Sequence, residues 1–476
     1  MHLFLLIYFV IFADKPQNAA PALSEAAIVR RERFGIALDA LDLPVSSAYT
    51  DSLQQAGAVI HHRSRWMNGV TCEMDSATAA TVAGWPFVSS VECTRDSSYP
   101  WVRGKRRHLS PTNEGQPWES RSTTYNQLAT YNLHPLHQLG YLGQGITMAV
   151  CDGGFLNADE ADYLDHSKLL GWYDFTDDAR YTAGELTPEE DFFGATGEHG
   201  TICLGTIAAL TDTYEGAAPD ATYYLMRSEE MNTESPKEMD NLVAALECAD
   251  SLGVDIFSVS LGYAYFDNTD WSLSKSAMDG KTTRCSRAAL IAARKGMLVV
   301  VSSGNEGDSE WQTVSAPADA DSILTVGAVD TLRNIASFSS YGITTDGRIK
   351  PDVCAVGKRT TLISPWSGEV FNGNGTSFAT PLMAGMAACI WSALPDEDAM
   401  SIRQRIITSA DRYTQPEERY GYGIPDAYAA YSNILGITNA SESKTATKSI
   451  RNNRLLILQN GTWYDVLGRV VKTDEK

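Results

Sequence analysis

Asn374-Gly375-Thr376-Ser377-Phe378-Ala379-Thr380-Pro381 runs directly into an apolar stretch from Leu382 to Trp391. Small and polar residues giving way to a long apolar run mark the start of a buried helix, with Ser377 in its first turn. Toward the N-terminus, short apolar strands alternate with helical patterns. Ile146 to Val150, Thr222 to Leu225, Asp255 to Leu261, Leu298 to Ser303 and Ile323 to Val329 read as strands. Leu242, Leu246 and Ala249 recur at i, i+4 and i+7, and Arg287 to Lys295 is also helical in pattern. Strand and helix in alternation predict an α/β fold whose mostly parallel sheet is covered on both faces. Functional side chains then gather at the carboxyl ends of the strands.

Three short segments and one asparagine supply the chemistry. Val150-Cys151-Asp152-Gly153-Gly154 is a strand entering a turn, Gly197-Glu198-His199-Gly200-Thr201 precedes a helical stretch, and Ser377 opens the helix described above. Alone, each has a plain reading: an Asp-Gly turn, a surface histidine, a helix start. Together they supply a hydroxyl, an imidazole to activate it and a carboxylate to orient the imidazole. Asn305, in Val301-Ser302-Ser303-Gly304-Asn305-Glu306-Gly307, ends a buried strand with an amide that can donate to a developing oxyanion.

These segments, in this order, resemble the subtilisin family of serine peptidases (peptidase family S8). Gly216-Ala217-Ala218-Pro219-Asp220-Ala221, Val326-Gly327-Ala328-Val329-Asp330, Phe338-Ser339-Ser340-Tyr341-Gly342 and Lys350-Pro351-Asp352-Val353 resemble further segments of the same family, which extends the similarity over about 125–431. The resemblance implies a three-layer α/β catalytic domain and hydrolysis of peptide bonds through an acyl-enzyme on Ser377. His199 would be the general base and then acid, Asp152 its orienting carboxylate, and Asn305 the oxyanion donor. It also implies that Ser260-Leu261-Gly262 and Ser302-Ser303-Gly304 wall the substrate cleft. The order Asp, His, Ser along the chain and the lack of G-x-S-x-G around Ser377 exclude the α/β-hydrolase elbow of lipases and esterases. One departure is Ile202, where many relatives carry a second histidine. The alternative is a catalytically silent member of the fold serving as a scaffold or adhesin.

The flanks suggest a proenzyme. A chain of 476 residues has room for one large domain and smaller modules. The apolar run Leu3 to Ala13 reads as the core of an export signal over 1–20, with a buried N-terminal strand or helix as the other possibility. Residues 26–93 read as a small α+β unit with strand-like pieces at Phe34 to Leu38, Ala58 to His61 and Gly69 to Met74, and helices around Ser46 to Ala56 and Ser76 to Ala83. This unit resembles the inhibitory propeptide of secreted subtilases. Residues 94–122, with Arg103, Lys105, Arg106 and Arg107, have the composition of an exposed, cleavable linker. The catalytic domain is expected over 123–436, a second linker over 437–453 and a hairpin over 454–476. In that last piece Tyr464-Asp465-Val466-Leu467-Gly468-Arg469 resembles a Bacteroidetes-type sorting signal.

These features point to a secreted or cell-surface enzyme acting on proteins or peptides, with its own propeptide as intramolecular inhibitor. A net charge of −21 argues against a nucleic-acid partner, and beyond the N-terminus no apolar run is long enough to span a membrane. Eight cysteines without C-x-x-C spacing give no support for zinc or dithiol chemistry. No cofactor is expected. Structural calcium, which many relatives bind, cannot be assigned to residues because no dense Asp-x-Asp-x-Asp loop is present.

Overall fold

The computed structural model describes residues 6–16, 19–96, 123–176, 187–194, 196–230 and 233–432, and three strands at 447–451, 454–459 and 462–465. Residues 1–431 form one compact unit and 432–476 a second.

The first unit opens with a four-stranded antiparallel sheet. Strand β1 (Leu6–Phe12) lies inside it, in the order β2 (Val59–Ser64), β3 (Gly69–Met74), β1, β4 (Val88–Arg95). β1 pairs with β3 from Leu6 opposite Met74 and with β4 as far as Phe12 opposite Val88. Phe9, Val10 and Phe12 are buried, and Val10 packs with Leu53, Val70 and Val82. The apolar run at the N-terminus therefore lies inside a sheet over Leu6–Phe12, as the buried strand that the sequence offered beside an export signal. Seven apolar residues satisfy a doubly paired strand as well as a signal core, and only the partners decide. Phe34 to Leu38 forms no strand. Gly35, at φ 65°, ends the helix Glu25–Arg33 by donating to Glu32 O, and Ile36 donates to Arg31 O. The expected helices are present at Ser47–Gln55 and Ser76–Val82.

The catalytic domain is built on a seven-stranded, wholly parallel sheet. Its strands are β5 (Thr147–Asp152), β6 (Leu169–Asp174), β7 (Thr222–Arg227), β8 (Ile256–Val259), β9 (Leu298–Ser302), β10 (Leu324–Val329) and β13 (Val353–Val356), in the order β13-β10-β9-β8-β5-β7-β6. Small ribbons, β11 (Gly342–Ile343) with β12 (Ile349–Lys350) and β14 (Thr360–Ile363) with β15 (Val370–Gly373), lie outside it. Two apolar clusters flank the sheet: one includes the helix Thr376–Ala393, the other the helices Lys237–Leu252 and Arg284–Arg294. These are the three layers expected from the sequence. β6 and β7 lie on one side of β5 and β8 to β10 on the other, so the chain reverses direction across the sheet at β5. Such a reversal opens a crevice at the carboxyl ends of the strands.

The N-terminal domain docks on the helices Lys237–Leu252 and Arg284–Arg294 through buried charge. Asp250 accepts from Arg30 at 2.7 Å, Arg31 at 2.6 Å and Arg65 at 2.8 Å. Glu247 accepts the backbone N–H groups of Arg65 and Trp66. Arg284 bridges Asp240 and Glu92, Lys295 reaches Asp39 and Asp42, and Arg95 meets Glu230 at 2.7 Å. Burial pushes the Asp240 and Glu247 carboxyls up, and the facing arginines partly offset it.

All eight cysteines are unpaired thiols. The second unit is a three-stranded antiparallel sheet of β16 (Thr447–Arg451), β17 (Arg454–Gln459) and β18 (Thr462–Asp465), so part of the expected 437–453 linker is strand. The basic cluster Arg103 to Arg107 of the expected cleavable linker and Val466 to Arg469 of the expected sorting segment lie outside the described residues. No described helix is long and apolar enough to cross a membrane.

Candidate active site

Asp152 is the last residue of β5 and is almost fully buried. His199 is the first residue of the helix His199–Ala208, and its Nδ1 lies 2.8 and 2.9 Å from the two Asp152 carboxylate oxygens. Glycine makes this approach possible. Gly200 donates to Gly154 O at 2.9 Å, and a side chain at Gly200 would meet that oxygen at 2.4 Å and Asp152 Cβ at 2.8 Å. The glycines that follow Asp152 and His199 thus let the strand end press against the helix start.

Ser377 is the second residue of the helix Thr376–Ala393. Its carbonyl oxygen accepts from Ser260 Oγ at 2.8 Å and from Cys203 Sγ at 3.4 Å. Cys203 lies one helical turn after His199, with Sγ 3.8 Å from Nδ1 of that ring, and the Phe378 ring centroid is 5.8 Å from the imidazole. These contacts bring the serine beside the histidine. No hydrogen bond joins Ser377 Oγ to His199 among the described residues, and such bonds often tighten only when substrate arrives. Burial pushes the Cys203 thiol up, so it is protonated and acts as a small packing group.

Asn305 lies just beyond β9, half-buried. Its Oδ1 accepts the Thr376 N–H at 2.9 Å and the Thr376 hydroxyl at 3.0 Å. With the oxygen engaged, the amide presents Nδ2 as its open donor. The neighbouring Glu306 accepts from Asn305 N–H and Ser340 Oγ.

Ser260, Leu261 and Gly262 follow β8, and Ser302, Ser303 and Gly304 follow β9, two neighbouring strands. Tyr263 exchanges backbone hydrogen bonds with Ala316, and a side chain at Gly262 would lie 3.1 Å from Ser315 Cβ. Ser315 and Ala316 therefore run beside the first wall, a contribution that the sequence did not reveal. Another is the exposed Trp366, whose indole N–H donates to Glu198, the residue before His199, at 2.6 Å.

The match to known proteins follows this geometry. Residues 143–423 match the model of the subtilase family of S8 peptidases. The chain belongs to the subtilase family. The chain is 30% identical to subtilisin DY of Bacillus licheniformis over 295 residues, 61% of this chain and 92% of that protein. It is 31% identical to subtilisin E of Bacillus subtilis (strain 168), over 62% of this chain and 68% of that one. The serine protease AprX of the same organism is 27% identical, over 60% and 66% of the two chains. Like these relatives the subtilase is a serine endopeptidase, and it carries a propeptide domain: residues 7–110 match the Bacteroidota S8 propeptide model. That match starts in β1, so the subtilase propeptide begins well before the boundary at 26 expected from the sequence.

His199 is held well above its ordinary value. Burial opposes the charged imidazole and is the largest single influence, but the Asp152 carboxylate at 2.8 Å, together with Cys203, more than offsets it. In this subtilase the charged ring is thus favoured more than in a free imidazole, stabilised at the atom that faces Asp152.

Proposed function

We propose that the protein hydrolyses peptide bonds with Ser377 as nucleophile, His199 as general base and then acid, Asp152 as its orienting carboxylate and Asn305 as oxyanion donor. The observation that carries this reading is the two-oxygen contact of Asp152 with His199 Nδ1. It fixes the proton on Nδ1 and leaves Nε2 as the base. As Ser377 attacks, its proton passes to Nε2 and the resulting imidazolium is stabilised by Asp152. The carbonyl oxygen gains charge within reach of Asn305 Nδ2 and the Ser377 backbone N–H at the start of its helix. His199 then delivers the proton to the leaving amine, and water repeats the sequence on the acyl-enzyme.

The walls Ser260-Leu261-Gly262 and Ser302-Ser303-Gly304 would hold the substrate segment before the scissile bond, with Ser315 bounding the cleft. The enzyme acts outside the cytoplasm, as its resemblance to secreted subtilases implies, and is made as a proenzyme cut between 96 and 122.

Asn305→Ala tests the mechanism. It is expected to lower kcat by about 10^2- to 10^3-fold with little change in KM, because the donor acts only as charge develops, the loss known for the corresponding donor in subtilisin. An unchanged kcat would remove Asn305 from the oxyanion site.

The pH profile tests the base. Because Asp152 raises His199, the imidazolium persists to higher pH, and only the neutral ring accepts a proton. The rise in kcat/KM is therefore expected on the alkaline side of about 6.5, the ordinary imidazole value. Asp152→Asn should move that rise toward acid while kcat falls. A wild-type midpoint at or below about 6.5 would contradict the assignment.

A further inference from the structure

We propose that His134, His137 and Glu215 form a site for a late first-row divalent cation, zinc in the first instance, separate from the group of Asp152, His199 and Cys203. His134 and His137 lie at i and i+3 on the helix His134–Gln138 and so share a face. Glu215 arrives from the segment that follows the His199 helix, where it bridges to Leu210. One ligand atom from each of the three lies within 4.8 Å of the others.

The hydrogen bonds sort the ring nitrogens. His134 Nε2 is 2.9 Å from Tyr125 O, and His137 Nε2 is 3.0 Å from Ala217 O. A backbone carbonyl only accepts, so in both rings Nε2 carries the proton and Nδ1 is left with a lone pair. His137 Nδ1 lies 2.8 Å from Glu215 Oε1. Two lone pairs at that distance repel unless a cation lies between them, either a proton or a metal ion. Donation of the second ring N–H to a backbone carbonyl is also how proteins orient metal-bound histidines. Tyr125 fixes the other ring by stacking on His134 at 4.2 Å between centroids.

Two imidazole nitrogens and one carboxylate suit zinc and its neighbours, whereas calcium takes six to eight oxygens. His137 is 7% and Glu215 30% exposed, so the carboxylate side stays open to an entering ion and to a water as fourth ligand. A ligand-to-ligand distance of 2.8 Å is short for one metal ion, and the half-exposed glutamate can withdraw the few tenths of an ångström required. Cys389 Sγ lies 3.7 Å from His137 Nε2, on the proton-bearing side of the ring, and is not a ligand.

The location gives the ion a task. Thr123 N–H donates to Thr213 O at 2.7 Å, and Thr124 Oγ1 donates to Glu215 O at 2.8 Å. The same short stretch therefore leads from the proposed cleavage linker to both histidines. A bound ion would fasten the start of the catalytic domain to the loop behind the His199 helix and keep it in place after the linker is cut.

The full chain carrying Ser377→Ala, which blocks self-digestion, is treated with chelator and titrated with ZnCl2 and with CoCl2. One equivalent should bind, cobalt should give the absorption of a four-coordinate nitrogen and oxygen site, and saturating zinc should raise Tm. His134→Gln and Glu215→Gln should each weaken binding at least tenfold and abolish the cobalt spectrum; the glutamine at 215 keeps the shape of the site should the histidine variant fold poorly. His199→Ala/Cys203→Ala, which dismantles the catalytic Asp152, His199 and Cys203 group, should leave binding unchanged. Absence of binding overturns the proposal, as does binding that survives Glu215→Gln or is lost with the catalytic group.

Discussion

Ser377→Ala is expected to lower peptidase turnover by about 10^6-fold, the size of the loss known for the nucleophile of subtilisin, and to leave the full chain uncut. The neighbouring Ser260 is no substitute, because its Oγ is committed to the Ser377 carbonyl. Oxyanion donors and binding alone retain about 10^3- to 10^4-fold over water. The fold should survive, because the alanine keeps the backbone contacts of Ser377 with Ser260 and Cys203. Refolding of purified wild type followed by mass spectrometry should show a new N-terminus between 96 and 122, and the variant should remain at full length. Processing of the purified variant at the wild-type rate would show that another group cuts the linker and would refute Ser377 as the nucleophile of maturation.

Asp250→Ala is expected to raise the dissociation constant of the cleaved propeptide domain by about 10^2- to 10^4-fold. Asp250 is fully buried and receives Arg30, Arg31 and Arg65. Removing the carboxylate takes a charged partner from three guanidinium groups, although Arg31 keeps Asp42 and Arg65 keeps Glu247, and breaking a buried ion pair from one side costs about 3–5 kcal/mol, which corresponds to that range. Arg33→Ala is the contrast. Arg33 pairs with the exposed Asp396 at 3.4 Å, and its loss should change binding less than about fivefold. Inhibition of the processed enzyme by its own propeptide, measured on dilution, reads both. Equal effects of the two variants would show that burial of charge does not govern docking.

Much of the candidate site was legible because local sequence builds it. Asp-Gly-Gly and His-Gly-Thr carry their glycines where β5 and the His199 helix must touch, so motif and geometry are one fact. The buried strands β5, β7, β8, β9 and β10 were legible as apolar runs for the same reason. Thr376 holding Asn305 and Ser315 facing Gly262 were not legible, since each contact joins segments whose adjacency only the folded sheet creates. β6, at the sheet edge with Gly171 inside it and partly exposed residues, lacks a clear apolar signature. β1 was ambiguous for a different reason: a strand paired on both sides needs only apolar residues, and its partners β3 and β4 come much later in the chain.

That separation sets an order of events during synthesis. The first strand made is the one both neighbours wait for, and the last of them, β4, ends at Arg95. The N-terminal sheet can therefore be completed once the chain as far as residue 95 has been made, ahead of Asp152, His199 and Ser377 in the sequence. In that order all strands of the propeptide sheet are available before the chain that carries the candidate site is complete. Loss of the first dozen residues would undo this order: β3 would be left with a bare edge and β4 with no partner in the sheet, and bare edges invite pairing with other chains.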